Sequence, residues 1–279
     1  MTDKKLLKDL QRFALEIRLA TIEELGCLGF GHVGGSLSIA DAMAVLYGSV
    51  MNVDPKNPTW PDRDKFVSSK GHAGPVVYAT LALKGYFPKE DLKTLNKPGT
   101  HYPSHCDRKM TVGVDMTTGS LGQGTSLACG MALGDKLKGR PSRTFLVVGD
   151  GECDEGQVWE AAMFAAAKKL DNMVWLIDNN KKQLDGWTKD ILDTGDLAKK
   201  FEAFGFDTVK INGNDVEQLY DAVTKKTEGK PIAVIMDTVK GKGVKEVEET
   251  MSNHSMAVKP EVWEKWANGL REELAAFAN

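Results

Sequence analysis

Two short segments carry the residue types of a divalent-cation and phosphate site. Gly149-Asp150-Gly151 sets a carboxylate between two glycines, and Asn179-Asn180 offers amide oxygens; the 27 residues 152–178 separate them. Magnesium and calcium take oxygen ligands, and magnesium usually draws only one or two from protein while phosphates and water supply the rest. Asp150 offers a carboxylate oxygen, Asn180 an amide oxygen, and the main-chain carbonyl of Lys182 a possible third donor. Gly149 and Gly151 let backbone approach phosphate closely. Asp-Gly alone is equally a common turn. A second asparagine-bearing segment at this spacing favours the site.

Each segment ends an apolar run rich in β-formers, 143–149 and 172–178, so each donor stands at the carboxyl end of an expected buried strand. Ligands of open α/β sheets bind at that edge. The elements needed to hold such strands are legible around them. Leu6, Leu10, Phe13, Ile17 and Ala20 recur at helical spacing and predict an amphipathic helix over 3–25. A glycine-rich loop, 26–35, follows and contains His32; a second helix over 38–47 has Ser38 as its N-cap. A strand at 65–68, a helix over 71–86, a loop-rich stretch 97–124 and a small-residue helix 125–137 precede the first metal-donor strand. Beyond it come a helix 155–169, a loop from 179 to about 193, a helix 196–204, strands 207–211 and 232–238, and a helix 260–277. Strands alternating with helices indicate an α/β fold, a mostly parallel sheet covered by helices on both faces. With no repeat or linker, residues 1–279 read as one domain.

The chain of 279 residues is long enough to bury a sizeable core. Its 36 basic and 39 acidic residues give a net charge of −3, which makes no case for nucleic acid or a charged membrane surface. No run approaches the roughly 18 apolar residues of a membrane span, and the N-terminus lacks a secretory apolar core. Cys27, Cys106, Cys129 and Cys153 form no CxxC pair and read as thiols of a reducing cytoplasm. Asp150-x-Glu152-x-Asp154 is not an EF-hand loop, because its glycine falls one place late and position 161 is alanine. GxxxxGK[ST] and HExxH are absent.

The stretch GDGECDEGQVWEAAMFAAAKKLDNMVWLIDNNKKQLDG (149–186) resembles the thiamine diphosphate motif of transketolases. GHVGGSLS (31–38), RDKFVSSKGHAGP (63–75), GVDMTTGSLGQG (113–124) and DTVKGKGV (237–244), with His254 beyond, resemble that family in the same order. The likeness runs from about residue 10 to residue 260. It implies a thiamine diphosphate-binding fold of the diphosphate-binding (PP) type, thiamine diphosphate with Mg²⁺ or Ca²⁺, and transfer of a two-carbon ketol unit from a ketose phosphate to an aldose phosphate. Such an enzyme is a transferase of aldehyde or ketone groups, of the pentose phosphate kind.

The resemblance implies roles residue by residue. His32, His72, His105 and His254 would line the channel over the thiazolium and act in catalysis; His32 and His254 would touch substrate as well as cofactor, and His72 would reach the cofactor on its diphosphate side. Lys70 and Lys240 would contact the diphosphate as point charges. The main chain of Gly119, Ser120 and Leu121 would meet the aminopyrimidine, Leu184 would wall the cofactor, and Asp150, Gly151 and Asn180 would hold its metal-bound tail. Around His105 the family reads Gly-His-Pro where this chain has Ser104-His105-Cys106. His101 has no counterpart. Glu155 would also contact the cofactor, and Glu155 and Glu160 would meet across a contact between two copies of this chain; Glu155 equally suits a helix's first turn, where the dipole favours a carboxylate.

A full transketolase is more than twice as long. The resemblance therefore implies the N-terminal subunit of a split enzyme, inactive alone, whose pyrimidine-binding and C-terminal domains lie on a separate polypeptide. That partner would supply the cofactor-activating glutamate and the arginines for the sugar phosphate, in an α₂β₂ heterotetramer. Three alternatives stay open: one chain of an acyloin synthase or 2-oxoacid dehydrogenase, a transketolase for an unusual sugar phosphate, and a non-catalytic relative that keeps the fold.

Overall fold

The computed structural model describes residues 3–277. In chain order the strands are β1 (Phe30–Gly31), β2 (Lys65–Ser68), β3 (Thr144–Gly149), β4 (Met173–Asn179), β5 (Asp207–Asn212), β6 (Ile232–Asp237) and β7 (Met256–Ala257). The α-helices are α1 (Lys4–Leu28), α2 (Val33–Leu37), α3 (Ala40–Val45), α4 (Gly74–Lys84), α5 (Gln123–Leu137), α6 (Gly156–Ala167), α7 (Thr188–Ile191), α8 (Leu197–Ala203), α9 (Val216–Thr224), α10 (Lys245–Glu249) and α11 (Pro260–Phe277).

Five strands form one wholly parallel sheet in the order β2-β3-β4-β6-β5. Alternation along each strand sends successive side chains to opposite faces. Phe145, Val147, Val174, Leu176, Val234 and Met236 pack on one face, in a core with α3, α4 and α9. Leu146, Val148, Trp175, Ile177, Ala233 and Ile235 pack on the other, with α5, α6 and α8. A third core joins α1, α4 and α11. The sheet is thus covered on both faces, as the sequence predicts. β1 and β7 pair antiparallel as a separate ribbon, Phe30 opposite Ala257, and this ribbon brings the 254 region beside the loop after α1.

α1 forms as its apolar spacing requires. Asp3 caps it by accepting from the Lys5 amide, and Gly29 ends it at φ 89°, a conformation that favours glycine. The second expected helix differs. Val33–Leu37 is already helical, and a π-helical turn over Leu46–Val50 follows α3. Ser38 is therefore not an N-cap; its hydroxyl points inward and donates 2.7 Å to the buried carboxylate of Asp178. The segment's apolar residues are buried all round, which obscures any one-sided period. Three further helices escape the sequence reading, α7, α9 and α10. α9 has a capping residue, Asp215, which accepts from the Glu217 and Gln218 amides, and its apolar positions 216, 219, 222 and 223 follow a helical period.

One stretch, Val33–Val50, reaches a mean hydropathy of 1.3 over 18 residues, so the expectation that no run approaches a membrane span is corrected. It is broken into α2, α3 and the π turn, and 83% of it is buried inside the fold. Its apolarity serves the core.

Leu176 lies in the middle of the central strand with no exposed surface. Leu176→Ala is expected to lower unfolding free energy by about 2–5 kcal/mol, read as a lower urea midpoint at unchanged slope.

Candidate functional site

Parallel register sets the site. Gly149 of β3 stands beside Asp178 of β4, and Asn179 beside Asp237 of β6. The turns leaving these strands therefore open side by side at the carboxyl edge. Asp150 is buried; its Oδ1 accepts from the Gly151 amide at 2.9 Å and its Oδ2 from the Lys181 amide at 2.5 Å. Asn180 Oδ1 accepts from the Lys182 amide at 3.1 Å. The turn bearing Asn180 is thus wrapped against the Asp150 carboxylate. Burial, then the nearby Asp178, pushes the Asp150 carboxyl up to about 6, against the pull of the Gly151 and Lys181 amides.

Asp150, Asn180 and Lys182 line one cavity of about 250 Å³. His32, His72, His105, His254, Lys70, Lys240, Gly119, Leu121, Gly151 and Leu184 line it too. Of the residues implied by the resemblance, Ser120, Glu155 and Glu160 fall outside its lining; all three are exposed. Glu155 has extended backbone at the N-cap of α6, not within its first turn, and its side chain caps nothing. Glu160 is exposed on the same helix, and His101 is exposed and away from the cavity.

The donor set suits a hard cation. One carboxylate, one amide oxygen and one main-chain carbonyl leave positions for phosphate and water. The Lys182 carbonyl already receives a cation: the Lys240 ammonium donates to it at 2.9 Å. The Lys182 side chain points elsewhere, to the carbonyls of Glu248 and Thr250 at 3.1 and 3.3 Å.

Two buried carboxylates missed by the sequence reading organise this region. Asp178 has no exposed surface and accepts from Lys70 Nζ at 2.6 Å, Ser38 Oγ at 2.7 Å, Asn180 Nδ2 at 2.8 Å and Thr238 Oγ1 at 2.5 Å. Burial alone would raise its carboxyl, but the Lys70 ammonium and these donors hold it below the usual carboxylate range. Lys70 also donates to the Gly35 carbonyl at 2.6 Å. Glu152 accepts from the Ser69 hydroxyl and from the Gly122 and Gly149 amides at 2.8 and 3.0 Å, tying the 119–122 loop to the end of β3. Both acids are local in sequence, adjacent to the motif residues. Apart from Asn180 and Gly149, their partners lie 30 to 140 residues away, which no local pattern records.

The four cavity histidines form one cluster. His32 lies 5.2 Å from His72, 5.5 Å from His105 and 5.3 Å from His254, centroid to centroid, and His72 lies 4.7 Å from His254. They come from the turn before α2, the 3₁₀ turn after β2, the loop before α5, and the turn before β7. Burial lowers the proton affinity of all four, and neighbouring lysine or histidine charge adds to it for His32, His72 and His254. His254 falls to about 3, through burial and then the Lys240 charge. Lys240 Nζ lies 3.2 Å from His254 Nδ1. An ammonium only donates, so Nδ1 is the acceptor and Nε2 carries the proton.

Two close approaches hold this wall. A Cβ on Gly71 would stand 2.5 Å from the Thr118 carbonyl oxygen, so that position needs glycine. The Cys106 amide, which a proline there would lack, donates to the Gly71 carbonyl at 3.3 Å. The Ser-His-Cys departure thus leaves His105 in the cluster. Asn253 is wholly buried and its Nδ2 donates to the carbonyls of Lys240 and Val247 at 3.1 and 2.8 Å, fixing the approach to His254. The Asn253-His254-Ser255 sequon is therefore closed to modification in this fold.

Among the described residues no three His, Cys, Asp or Glu side chains gather as a metal cluster. The candidate centre is instead the mixed oxygen set under the histidine wall. This α/β sheet sets acid and amide donors on adjoining strand ends, the edge at which open α/β sheets bind ligands. Residues 10–269 match the family model described as transketolase, thiamine diphosphate binding domain, and the chain belongs to the transketolase family. It is 50% identical over 269 residues to a 6-deoxy-6-sulfo-D-fructose transketolase subunit, SqwG, of Clostridium sp. (strain MSTE9), covering 96% of this chain and 98% of that one. It is 39% identical to an apulose-4-phosphate transketolase subunit of Actinobacillus succinogenes (strain ATCC 55618 / DSM 22257 / CCUG 43843 / 130Z), covering 87% and 88%. The transketolase structure from Campylobacter jejuni superposes with a TM-score of 0.86 at 28% identity, over 99% of this chain and 48% of that one. The chain thus spans about half the length of that solved transketolase.

Replacing Asp178 by Asn leaves the Lys70 ammonium buried without its counter-charge. Asp178→Asn is expected to cost about 3–5 kcal/mol of stability, measured by denaturant unfolding. A second expectation concerns acid. His254 titrates near 6.5 when unfolded and about 3 when folded. Between these values the unfolded chain binds the extra proton, so this contribution to stability is intact above pH 6.5 and is lost as pH falls toward 3. His254→Gln should therefore lose less melting temperature than the parent between pH 6.5 and 4.5, read by calorimetry.

Proposed function

We propose that this chain is the diphosphate-binding subunit of a two-polypeptide transketolase, active only with a complementary chain that carries the pyrimidine-binding and C-terminal domains. The observation that carries the reading is the convergence of Asp150, Asn180 and the Lys182 carbonyl on one cavity beneath four neutral imidazoles. Relatives that match along nearly their whole length are themselves called subunits, which supports the division into two chains.

Asp150, Asn180 and the Lys182 carbonyl hold a divalent cation, Mg²⁺ or Ca²⁺. Lys240 and the backbone around Gly151 meet the diphosphate, while Gly119 and Leu121 flank the ring end. Lys70 is already engaged by Asp178 and Gly35, and its main task is to stiffen the floor. Thiamine diphosphate, when bound, supplies the electron sink that lets a carbon–carbon bond beside a ketose carbonyl break. The chain's histidines orient the sugar hydroxyls and move protons. Neutral imidazole suits that task because it offers one donor and one acceptor nitrogen. His254 presents its Nε2 proton, since Nδ1 is taken by Lys240.

The donor is a ketose with an anionic tail. The 50% identity to the sulfofructose relative makes 6-deoxy-6-sulfo-D-fructose the first candidate, ahead of apulose 4-phosphate and the pentose phosphates. The cavity lining has three lysines and no arginine, and Lys70 and Lys182 are held by other partners. Recognition of the tail therefore falls to the complementary chain. Two copies of this chain meet through the exposed side of α5 and α6, where Leu127, Met163 and Phe164 are uncovered beside Glu160. The four free thiols, three of them buried, suit a cytoplasmic protein.

Purified alone, the chain should show no ketol transfer; mixed with its complementary chain, thiamine diphosphate and Mg²⁺, it should process 6-deoxy-6-sulfo-D-fructose or a ketose phosphate and not pyruvate. Turnover by the single chain would sink the two-polypeptide reading, and preference for pyruvate would sink ketol transfer. Asp150→Ala should weaken Mg²⁺-dependent thiamine diphosphate binding by roughly 100-fold or more, about 2.7 kcal/mol, by calorimetry on the assembled complex.

A further inference from the structure

The two buried lysines of the cavity are held in different ways. Lys70 is only 2% exposed and is fixed by a carboxylate and a carbonyl, each at 2.6 Å. Lys240 is 4% exposed, yet its ammonium has no carboxylate within hydrogen-bonding distance. Its partners are the Lys182 carbonyl at 2.9 Å and the neutral His254 Nδ1 at 3.2 Å. The Lys182 carbonyl is also the third oxygen of the candidate cation site, and Asp150 and Asn180 line the same cavity. One carbonyl oxygen is thus shared between a resident ammonium and an incoming divalent ion. A monovalent and a divalent cation at contact distance from one oxygen repel each other strongly in a buried site.

We propose that Lys240 is a placeholder for the metal: in the cofactor-free chain its ammonium satisfies the Lys182 carbonyl and keeps the divalent cation from closing on its full donor set. The inference rests on the cation site assigned above. A diphosphate group relieves the conflict, because its oxygens offer Lys240 anionic partners that a carbonyl and an imidazole cannot match. The ammonium then turns from Lys182 toward the phosphates, and the carbonyl is released to the metal. Metal and diphosphate therefore load as a coupled pair, and each raises the other's affinity by the same factor. Lys70 cannot take this part, since leaving its place would strand the Asp178 carboxylate. The arrangement keeps the chain from filling its site with a cation that has no cofactor to hold.

The test is Mn²⁺ binding by the purified chain, followed by the electron paramagnetic resonance of the free ion, with and without inorganic pyrophosphate. The parent should bind Mn²⁺ weakly alone and at least roughly tenfold more tightly with pyrophosphate. Lys240→Met removes the competing ammonium, so it should bind Mn²⁺ alone roughly tenfold or more tighter than the parent, and pyrophosphate should enhance it far less. Lys240→Ala should behave as Lys240→Met does, and Lys240→Arg, which keeps the charge, should stay as weak as the parent. Equal or weaker Mn²⁺ binding by both neutral variants would overturn the placeholder role. The same series in an Asp150→Asn background separates that failure from a misplaced metal site. Loss of binding on Asp150→Asn, together with no gain from Lys240→Met in the otherwise unaltered chain, refutes the placeholder alone, whereas binding indifferent to Asp150 refutes the site itself.

Discussion

A single buried carboxylate, Asp178, is the constraint on which the rest of the site depends. Its two oxygens accept from Ser38, Lys70, Asn180 and Thr238. These donors come from the turn between α2 and α3, the end of β2, the end of β4 and the end of β6. Four segments distant in sequence are thus pinned to one point at the carboxyl edge of the sheet. A buried anion of this kind is tolerable only when fully satisfied, so each donor is needed and the geometry has little freedom. Asn180 is the clearest beneficiary: its amide nitrogen is committed to Asp178, which orients its oxygen, bonded to the Lys182 amide, as the acceptor end of the side chain.

The electrostatics of the cavity follow from that anchor. Lys70 and Asp178 neutralise one another in the floor, leaving Lys240 as the buried cation with only neutral partners in direct contact. Its own proton affinity falls to about 8, chiefly through burial and then the nearby Lys70 charge, with Asp178 and Asp150 pulling the other way. After burial, the Lys70 charge lowers the proton affinity of His72, and the Lys240 and Lys70 charges lower that of His254. Burial first, with neighbouring lysine or histidine charge adding to it at His32, His72 and His254, thus keeps the imidazole wall neutral. An anionic ligand tail settling on that floor would weaken this depression, so a filled floor and proton affinity at the wall are linked by ordinary Coulomb coupling.

What the sequence discloses divides along a physical line. Strand ends, glycine turns and the donor residues are local: an apolar run of five or six residues closing on Gly149-Asp150-Gly151 or Asn179-Asn180 needs no tertiary information, and β3, β4 and β6 lie within a residue or so of their expected bounds. Four of five histidines were legible as a group through the ordered motifs, and all four meet in one cavity. What was not legible depends on contacts across the chain. Ser38 looks like a helix cap because serine before an apolar run usually is one; only the arrival of Asp178 from 140 residues away makes its hydroxyl a core donor. Glu152 reads as one more acid in an acidic segment until Ser69 and Gly122 close on it. The Val33–Val50 stretch exceeds ordinary apolarity because core layers surround it, a tertiary fact that composition alone presents as a membrane-like run.

If the chain is one half of a two-polypeptide enzyme, as proposed above, the division of labour within the cavity explains how that half can be a well-formed fold. On that reading everything placed here would bind, orient or hold a proton at a heteroatom: oxygen donors for a cation, backbone and lysine for an anionic tail, neutral imidazoles for hydroxyls. Each of these oxygen groups is satisfied within the chain before any ligand arrives. Asp150 has two amides, Asp178 four donors, Glu152 three, and the Lys182 carbonyl the Lys240 ammonium. Buried polar groups without partners would cost about 1–3 kcal/mol each, so a site without its ligands must close its own hydrogen bonds. Where closing them used a group that the ligand later needs, as at the Lys182 carbonyl, the exchange of partners becomes part of how the site is filled.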